Sequence, residues 1–496
     1  MAASFDPLTT TAVDLQQLLR QNKISSVQIV EKYLAQIEQH EAKLHAFISV
    51  APRDKLLRAA ASLDEERLQG KTRSTLHGIP IVLKDNFVTA SNLGMGTTAG
   101  SLALVGAKAS VNAAIVQRLL DAGLLILGKT NMTEFAGMKM TMISPGWSPV
   151  GGQTVSAYTG PIAPDETLLG HSAPGGSSTG SAVAVAAGFS PLAMGTETIG
   201  SIVTPSSRAA LYALKPTVGV QDSTGLYTLT DFYDSPGPMA KSAADVLALF
   251  EILLGRSLGR LGQGTPDWEG LSVAFLDPLV WRMADAMCRQ HERTAEQMRE
   301  EYQRAIARLK EAGCAVKFPV ELADISALMV DGQHAIMPIA FWDFKNLCIP
   351  RFLEAFDECP VKSLDDIVQF NEDHKDKCLP SEFPEQGDLI KARDNEDAED
   401  NIAALKKGLR SVARQILDRV FDGEGVNIIA APADSSLCIH AAASGYPIAT
   451  VPLGQLRYNS RPFGLCMVAQ KDREDTLLQF MAAYEATSPP RAVPTL

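Results

Sequence analysis

Three stretches of the chain gather side chains able to attack a carbonyl or take up a proton. "HGIPIVLKDN" (77–86) ends an apolar run on Lys84, "PGGSSTGSAV" (174–183) sets serines among glycines, and "MGTETIGS" (194–201) closes on Ser201. A serine hydroxyl is a poor nucleophile until a base takes its proton, and a neutral lysine amine can be that base. Lysine ordinarily titrates near pH 10.4, so it must be desolvated or placed near a dipole to act at neutral pH. Lys84, following Ile79 to Leu83, stands where such a shift is expected. The bland alternative is a strand-end lysine that reaches solvent or pairs with Asp85.

Which serine would act is not settled by the glycine-rich stretch alone. Gly176 to Gly180 matches G-x-S-x-G, which would make Ser178 the nucleophile of an α/β-hydrolase, with His440 as its downstream base. That motif needs a strand directly before it, whereas "TLLGHSAPGG" carries Pro174 into the glycines, and His440 sits in an alanine-rich segment where a structural role is expected. A phosphate-cradling loop is the other short reading, but the spacing G-x-x-x-x-G-K-[ST] is absent.

These stretches need elements to hold them. The first seventy residues predict helices: Ser25 and Gln28 form a capping box, and Val27, Val30, Leu34 and Ile37 recur at helical spacing. "LHGIPIVLKDNF" and "LLILGKTNMTEF" (124–135) each predict a buried strand running into a polar turn, the second with Asn131 capping a helix whose third position is Glu134. From 137 to 180 Gly, Pro, Ser and Thr dominate, a loop long enough to be functional. "GSAVAVAAGF" predicts a small-residue helix stopped at Gly188. Strand "LSVAFL" (271–276), a helix on Met298, Tyr302, Ala305 and Leu309, and strand "CAVKFPV" form a βαβ rhythm. Between about 320 and 425 the texture changes to mixed aromatics, as in "FWDFKNL", and the charge run "KARDNEDAEDNIAALKKGLR", read as a solvated helix face. The aromatics fit either core or a pocket wall.

At 496 residues and 46% hydrophobic, the chain can bury a large core, and a formal net charge of −12 disfavours nucleic acid and anionic membranes as partners. Seven scattered cysteines without a C-x-x-C pair fit neither a zinc knuckle nor a disulfide framework. The first residues lack the basic-then-apolar pattern of a secretory signal, and no apolar window reaches bilayer length. The expectation is a cytoplasmic protein without a membrane span; oligomeric state is unmarked.

Taken together and in order, "HGIPIVLKDN", "PGGSSTGSAVAVAAG" and "MGTETIGSIVTPSSRAALYALKPTVG" resemble the amidase signature family, with Ser177 and Ser201 separated by 24 positions as that family has them. The likeness extends through "GWSPVGGQT", "LKPTVG" and "GYPIATVPLG…PFGL", thins between about 320 and 425, and with Thr179 and Glu197 is similar in style to the fungal members. It implies an α/β fold, a large mixed sheet core covered by helices on both faces, in one domain over 1–496. Its parts would be N-terminal helices (1–70), signature core (71–320), a variable insertion at the substrate entrance (320–425) and C-terminal core strands with a helix (426–496).

The resemblance further implies hydrolysis of a small carboxylic amide through an acyl-serine, without metal or organic cofactor. Ser201 would be the nucleophile, Ser177 the proton relay after a cis peptide bond, and Lys84 the base; Ser178 would support the loop. The oxyanion hole would be the backbone N–H groups of Thr198, Ile199, Gly200 and Ser201. Two departures fall here. Ile199 stands where many members have glycine, which distorts the turn if positive φ is needed there and otherwise narrows the acyl pocket; Val203 replaces an arginine, which disfavours carboxylate-bearing substrates. An amide-forming acyltransferase, or a partner-dependent component like those of glutamine-dependent amidotransferases, would share these motifs.

Overall fold

The computed structural model describes residues 4–140, 143–164, 166, 168–259, 267–289 and 291–496. Apolar runs with few internal charges become inner strands of one large mixed sheet. In chain order these are β1 (Phe47–Val50), β2 (Pro80–Lys84), β3 (Leu125–Thr130), β4 (Leu192–Glu197), β5 (Tyr212–Lys215), β6 (Ser235–Ala240), β7 (Ser272–Leu276), β8 (Ala315–Val320), β9 (Ile428–Pro432), β10 (Ile448–Gln455) and β11 (Pro462–Val468). Across the sheet they run β1-β3-β2-β4-β6-β5-β10-β11-β9-β7-β8. β2 lies parallel between β3 and β4, whereas β4, β6, β5, β10, β11 and β9 pair antiparallel in turn. β7 is parallel to both β9 and β8, joined to β8 by the helix Glu292–Glu311, which is the βαβ unit read from the sequence. β2, β3, β4 and β9 are buried at every position, as expected of central strands covered on both faces.

Helices pack around the sheet. Ser25 and Gln28 close the expected capping box on Ser26–Leu44, which buries Val30, Leu34 and Ile37 while Val27 packs at the core margin. The helix Thr179–Ala186 is buried along its whole length. Its small side chains let it lie close to the sheet: a Cβ at Gly180 would stand 2.3 Å from the Ala46 carbonyl. Between 320 and 425 the chain is mostly helical, including Ile336–Asp343, Gly387–Arg393 and the long Glu399–Glu424, whose apolar side buries Ile402, Leu405 and Leu409 under the charged face.

One element departs from the sequence reading. Glu134–Gly137 is a short 3-10 turn with left-handed Phe135 and Ala136, and Thr133 rather than Asn131 precedes it. Asn131 instead donates through Nδ2 to the Gly146 and Gly152 carbonyls and the Thr154 hydroxyl, tying down the glycine-rich loop. A side chain with three such long-range acceptors outcompetes a single capping bond.

Candidate active site

The three motifs meet at the C-terminal ends of β2 and β4. Lys84 is the last residue of β2 and fully buried, with Nζ 2.8 Å from Ser177 Oγ, 3.0 Å from Thr196 Oγ1 and 3.2 Å from the Thr196 carbonyl. Ser177 Oγ in turn lies 3.0 Å from Ser201 Oγ. Lys84 therefore does not take the strand-end alternative: Asp85 turns the other way, to Lys129 at 3.2 Å. Burial pushes the Lys84 amine down to about 7, with the carboxylates of Asp234 and Glu197 pulling it partly back.

Parallel pairing of β2 with β4 brings Lys84 beside Thr196, and the loop between β3 and the helix at 179 brings in Ser177. The Gly176–Ser177 peptide is cis. The glycines before it are sterically required: Gly175 has φ +76°, and a Cβ at Gly176 would stand 2.8 Å from Thr133 Oγ1. Thr133 N–H donates to the Ser177 carbonyl, and the Arg208 guanidinium donates to the carbonyls of Leu169, Gly170 and Ala173, which fixes the segment leading into the turn. Ser178 points away from Ser201, its hydroxyl donating to the Thr196 carbonyl at 3.0 Å. His440 faces the carbonyls of Ala323 and Ser436. The α/β-hydrolase reading thus finds neither of its groups at the site.

After β4 the chain turns through Thr198, Ile199 and Gly200 into Ser201. The left-handed residue of that turn is Gly200 (φ +76°); Ile199 is not among the positive-φ residues. The isoleucine leaves the turn undistorted and lines the pocket instead. Among the described residues no protein acceptor takes the backbone N–H of Thr198, Ile199, Gly200 or Ser201. The following N–H groups, of Ile202 and Val203, are held by Glu197 Oε2 at 2.7 and 2.9 Å. Val203 is fully buried in the core and does not line the pocket.

Sequence reasoning passed over two groups here. Thr196 anchors Lys84 and also accepts from Asn86 at 2.9 Å. Asp234, pushed up to about 6 by burial against the pull of the Thr198 side chain and the Leu229 N–H, stands behind the turn. The signal for Thr196 was its place inside "MGTETIGS"; Asp234 lies in "FYDSPGPMA", which carries no such pattern by itself.

Ser177 and Ser201 open into a cavity of about 620 Å³. Its walls are chiefly apolar, with Met138, Ile143, Leu168 and Met287 on one part and Ile336, Met337 and Phe341 from the 320–425 region on another. Lys391 and Asp388, 2.8 Å apart, stand together at its edge.

A large mixed α/β sheet that joins a buried lysine, two serines and a left-handed glycine turn beneath an apolar cavity has the build of an enzyme site. The chain matches the family model described as Amidase over residues 28–433, and it belongs to that family. The peptide amidase of Stenotrophomonas maltophilia superposes with a TM-score of 0.84 at 30% identity, covering 98% of both chains. An amidase family protein from Bacillus anthracis gives 0.85 at 26% identity, over 99% of this chain and 93% of that one. A Schizosaccharomyces pombe sequence, whose amidase name is itself an assignment, is 27% identical over 96% of this chain and 84% of its own length. The protein is accordingly an amide-hydrolysing enzyme of the amidase signature type. Among the described residues no helix is long and apolar enough to cross a membrane.

Proposed function

We propose that the enzyme hydrolyses a neutral carboxylic amide with an apolar acyl group through an acyl-Ser201 intermediate. The observation that carries this is the unbroken contact from Lys84 Nζ through Ser177 Oγ to Ser201 Oγ, 2.8 and 3.0 Å, at the floor of an apolar cavity. With its amine neutral, Lys84 takes the Ser177 proton as Ser177 takes that of Ser201, and Ser201 Oγ attacks the amide carbon. The C=O π pair moves onto oxygen, which lies against the unengaged N–H groups of the 198–201 turn; one such strong donor lowers the barrier by ~3 to 4 kcal/mol. Collapse expels nitrogen, which receives the proton back along Lys84 and Ser177. Water then attacks the acyl-serine by the same relay and releases the carboxylate.

The likeness to a peptide amidase over nearly the whole of both chains supports a carboxylic amide as substrate. The side chains from Ile336 to Phe341 support reading 320–425 as the segment that shapes the entrance to a one-domain enzyme. The apolar walls favour an uncharged acyl group. The test is labelling by a fluorophosphonate alongside amide turnover: both should vanish in Ser201→Ala, and labelling that persists in that variant overturns the assignment.

A partner-dependent role draws on one observation, 40% identity to a component of the glutamyl-tRNA(Gln) amidotransferase of Symbiobacterium thermophilum, but this spans only 49% of the chain and 46% of that component. Turnover of simple amides by the purified chain alone would exclude it.

A further inference from the structure

A second cavity, of about 300 Å³, lies on the other half of the sheet and, among the described residues, shares no lining residue with the one above Ser201. It is bounded by the ends of β9, β10 and β11, the first turns of the helix Glu292–Glu311, and the segment from Pro278 to Cys288. Met298, Leu453 and Phe463 give it an apolar wall, and Arg461, Arg299 and Arg282 place three guanidiniums on its lining.

The charges around it do not balance. Arg208 and Arg461, both buried, share the single carboxylate of Asp434, which accepts from Arg208 at 3.0 and 3.2 Å and from Arg461 at 2.8 Å. Burial notwithstanding, the two arginines hold Asp434 well below the usual carboxylate range. His171, 3.1 Å from Arg461, adds no negative charge; burial and the two arginines push it down to about 4, so it is neutral. Arg461 Nε has no hydrogen-bond partner among the described residues. Arg208, Arg461 and Asp434 together thus carry one excess positive charge, faced across His171 by the Glu166 carboxylate, which already accepts from Ser172; an anionic ligand beside Arg461 relieves that excess. Arg299, half-buried on the facing helix, makes no ion pair or hydrogen bond with the described residues, whereas Arg282 is already paired with Asp285 at 2.6 Å.

We propose that this cavity binds a small monocarboxylate with an apolar body, the carboxylate between Arg461 and Arg299 and the body against Met298, Leu453 and Phe463. A guanidinium fork matches a carboxylate in two parallel bonds, and the apolar wall of Met298, Leu453 and Phe463 suits the body of an organic carboxylate better than inorganic phosphate. Carboxylates are also the class of molecule that amide hydrolysis releases.

The probe is 4-bromobenzoate, with 4-bromobenzyl alcohol as its neutral counterpart. Calorimetry on the wild-type enzyme should give saturable one-to-one binding of the acid, about tenfold or more weaker for the alcohol and in Arg299→Gln. Crystals of the wild-type enzyme grown with the acid should show the bromine anomalous signal in the second cavity. This arm does not depend on any variant folding. Bromine found only above Ser201, equal affinity for acid and alcohol, or unchanged binding in a folded Arg299→Gln overturns the proposal.

Discussion

The serine pair that meets Lys84 and the helices between 320 and 425 border one cavity, yet they are built on opposite terms. Around Lys84 the site is fully buried, and its polar groups answer one another: Thr196 holds Lys84 and Asn86, Ser178 holds Thr196, and Glu197 holds the turn after Ser201. The 320–425 wall presents single apolar side chains, such as Met337, which is 44% exposed. A buried polar network is costly to disturb at any member, whereas a half-exposed apolar wall can change one residue at a time. Under the proposed function, chemistry and selectivity are separated in space, and substitutions can test how completely.

The strongest break is expected at Lys84. Lys84→Met keeps the shape of the side chain and removes the base, so kcat should fall by about 10³-fold or more. Stability should change by no more than about 1 to 2 kcal/mol, because relief of a desolvated cation offsets the lost hydrogen bonds to Ser177 and Thr196. Steady-state kinetics beside thermal melting would read both, and loss of fold together with activity would show that the amine serves structure first. The pH dependence follows from the same group. Only the neutral amine can accept a proton, so kcat/KM should climb with pH through an inflection near 7, about tenfold per unit on its acid side. In the unfolded chain the amine titrates near 10.5, so between 7 and 10.5 the unfolded state binds a proton that the folded state lacks. The Lys84 contribution to stability therefore increases with pH across that window, and Lys84→Met should remove that slope from the melting profile.

The turn before Ser201 comes next. Gly200 takes φ +76°, and a Cβ there would meet Thr204 Oγ1 at 3.0 Å. Gly200→Ala should strain the turn by ~1 to 2 kcal/mol and misalign its N–H groups, lowering kcat by about 10²-fold with KM less affected. Ile199→Val trims one methyl from the pocket side without touching that φ and should leave kcat within about threefold for a small amide. Equal losses in the two variants would mean that the backbone of the turn is not what the reaction uses.

How far this was legible depends on whether a residue's partners are near in sequence. Lys84, Ser177 and Ser201 stand in contiguous motifs, and the strands that carry them are plain apolar runs bounded by turns. Asn131 misleads because Glu134 at the third position satisfies a local capping rule, while its actual acceptors at 146, 152 and 154 belong to a loop that no periodicity reveals. The question over Ile199 could not be closed from the sequence, since either residue of an Ile-Gly pair can sit near the turn; the backbone assigns the left-handed position to glycine. "FWDFKNL" held both of its alternatives: Phe341 lines the cavity, Phe344 is fully buried against Phe135 and Tyr227, and the Trp342 indole donates to the Asp397 carbonyl. One helical run divides in this way because successive side chains point around the axis, so neighbours in sequence face different surroundings.

The effect expected at Met337 falls on KM alone, and it is the one that tests the separation most directly. Its side chain borders the cavity yet keeps 44% of its surface exposed, so Met337→Ala gives up little buried area and should cost less than ~1 kcal/mol of stability. It takes no part in the hydrogen bonds from Lys84 to Ser201, so kcat and KM for propionamide should stay at the wild-type values. For an amide whose acyl group is long enough to reach the 336–341 helix, such as octanamide, the lost contact amounts to a few methylenes partly covered. KM should then rise about three- to tenfold with kcat unchanged, the pattern of an interaction made equally in ground state and transition state. A fall in kcat for both amides would mean that the wall and the buried network move together, and that the 320–425 region positions the reacting groups as well as the substrate.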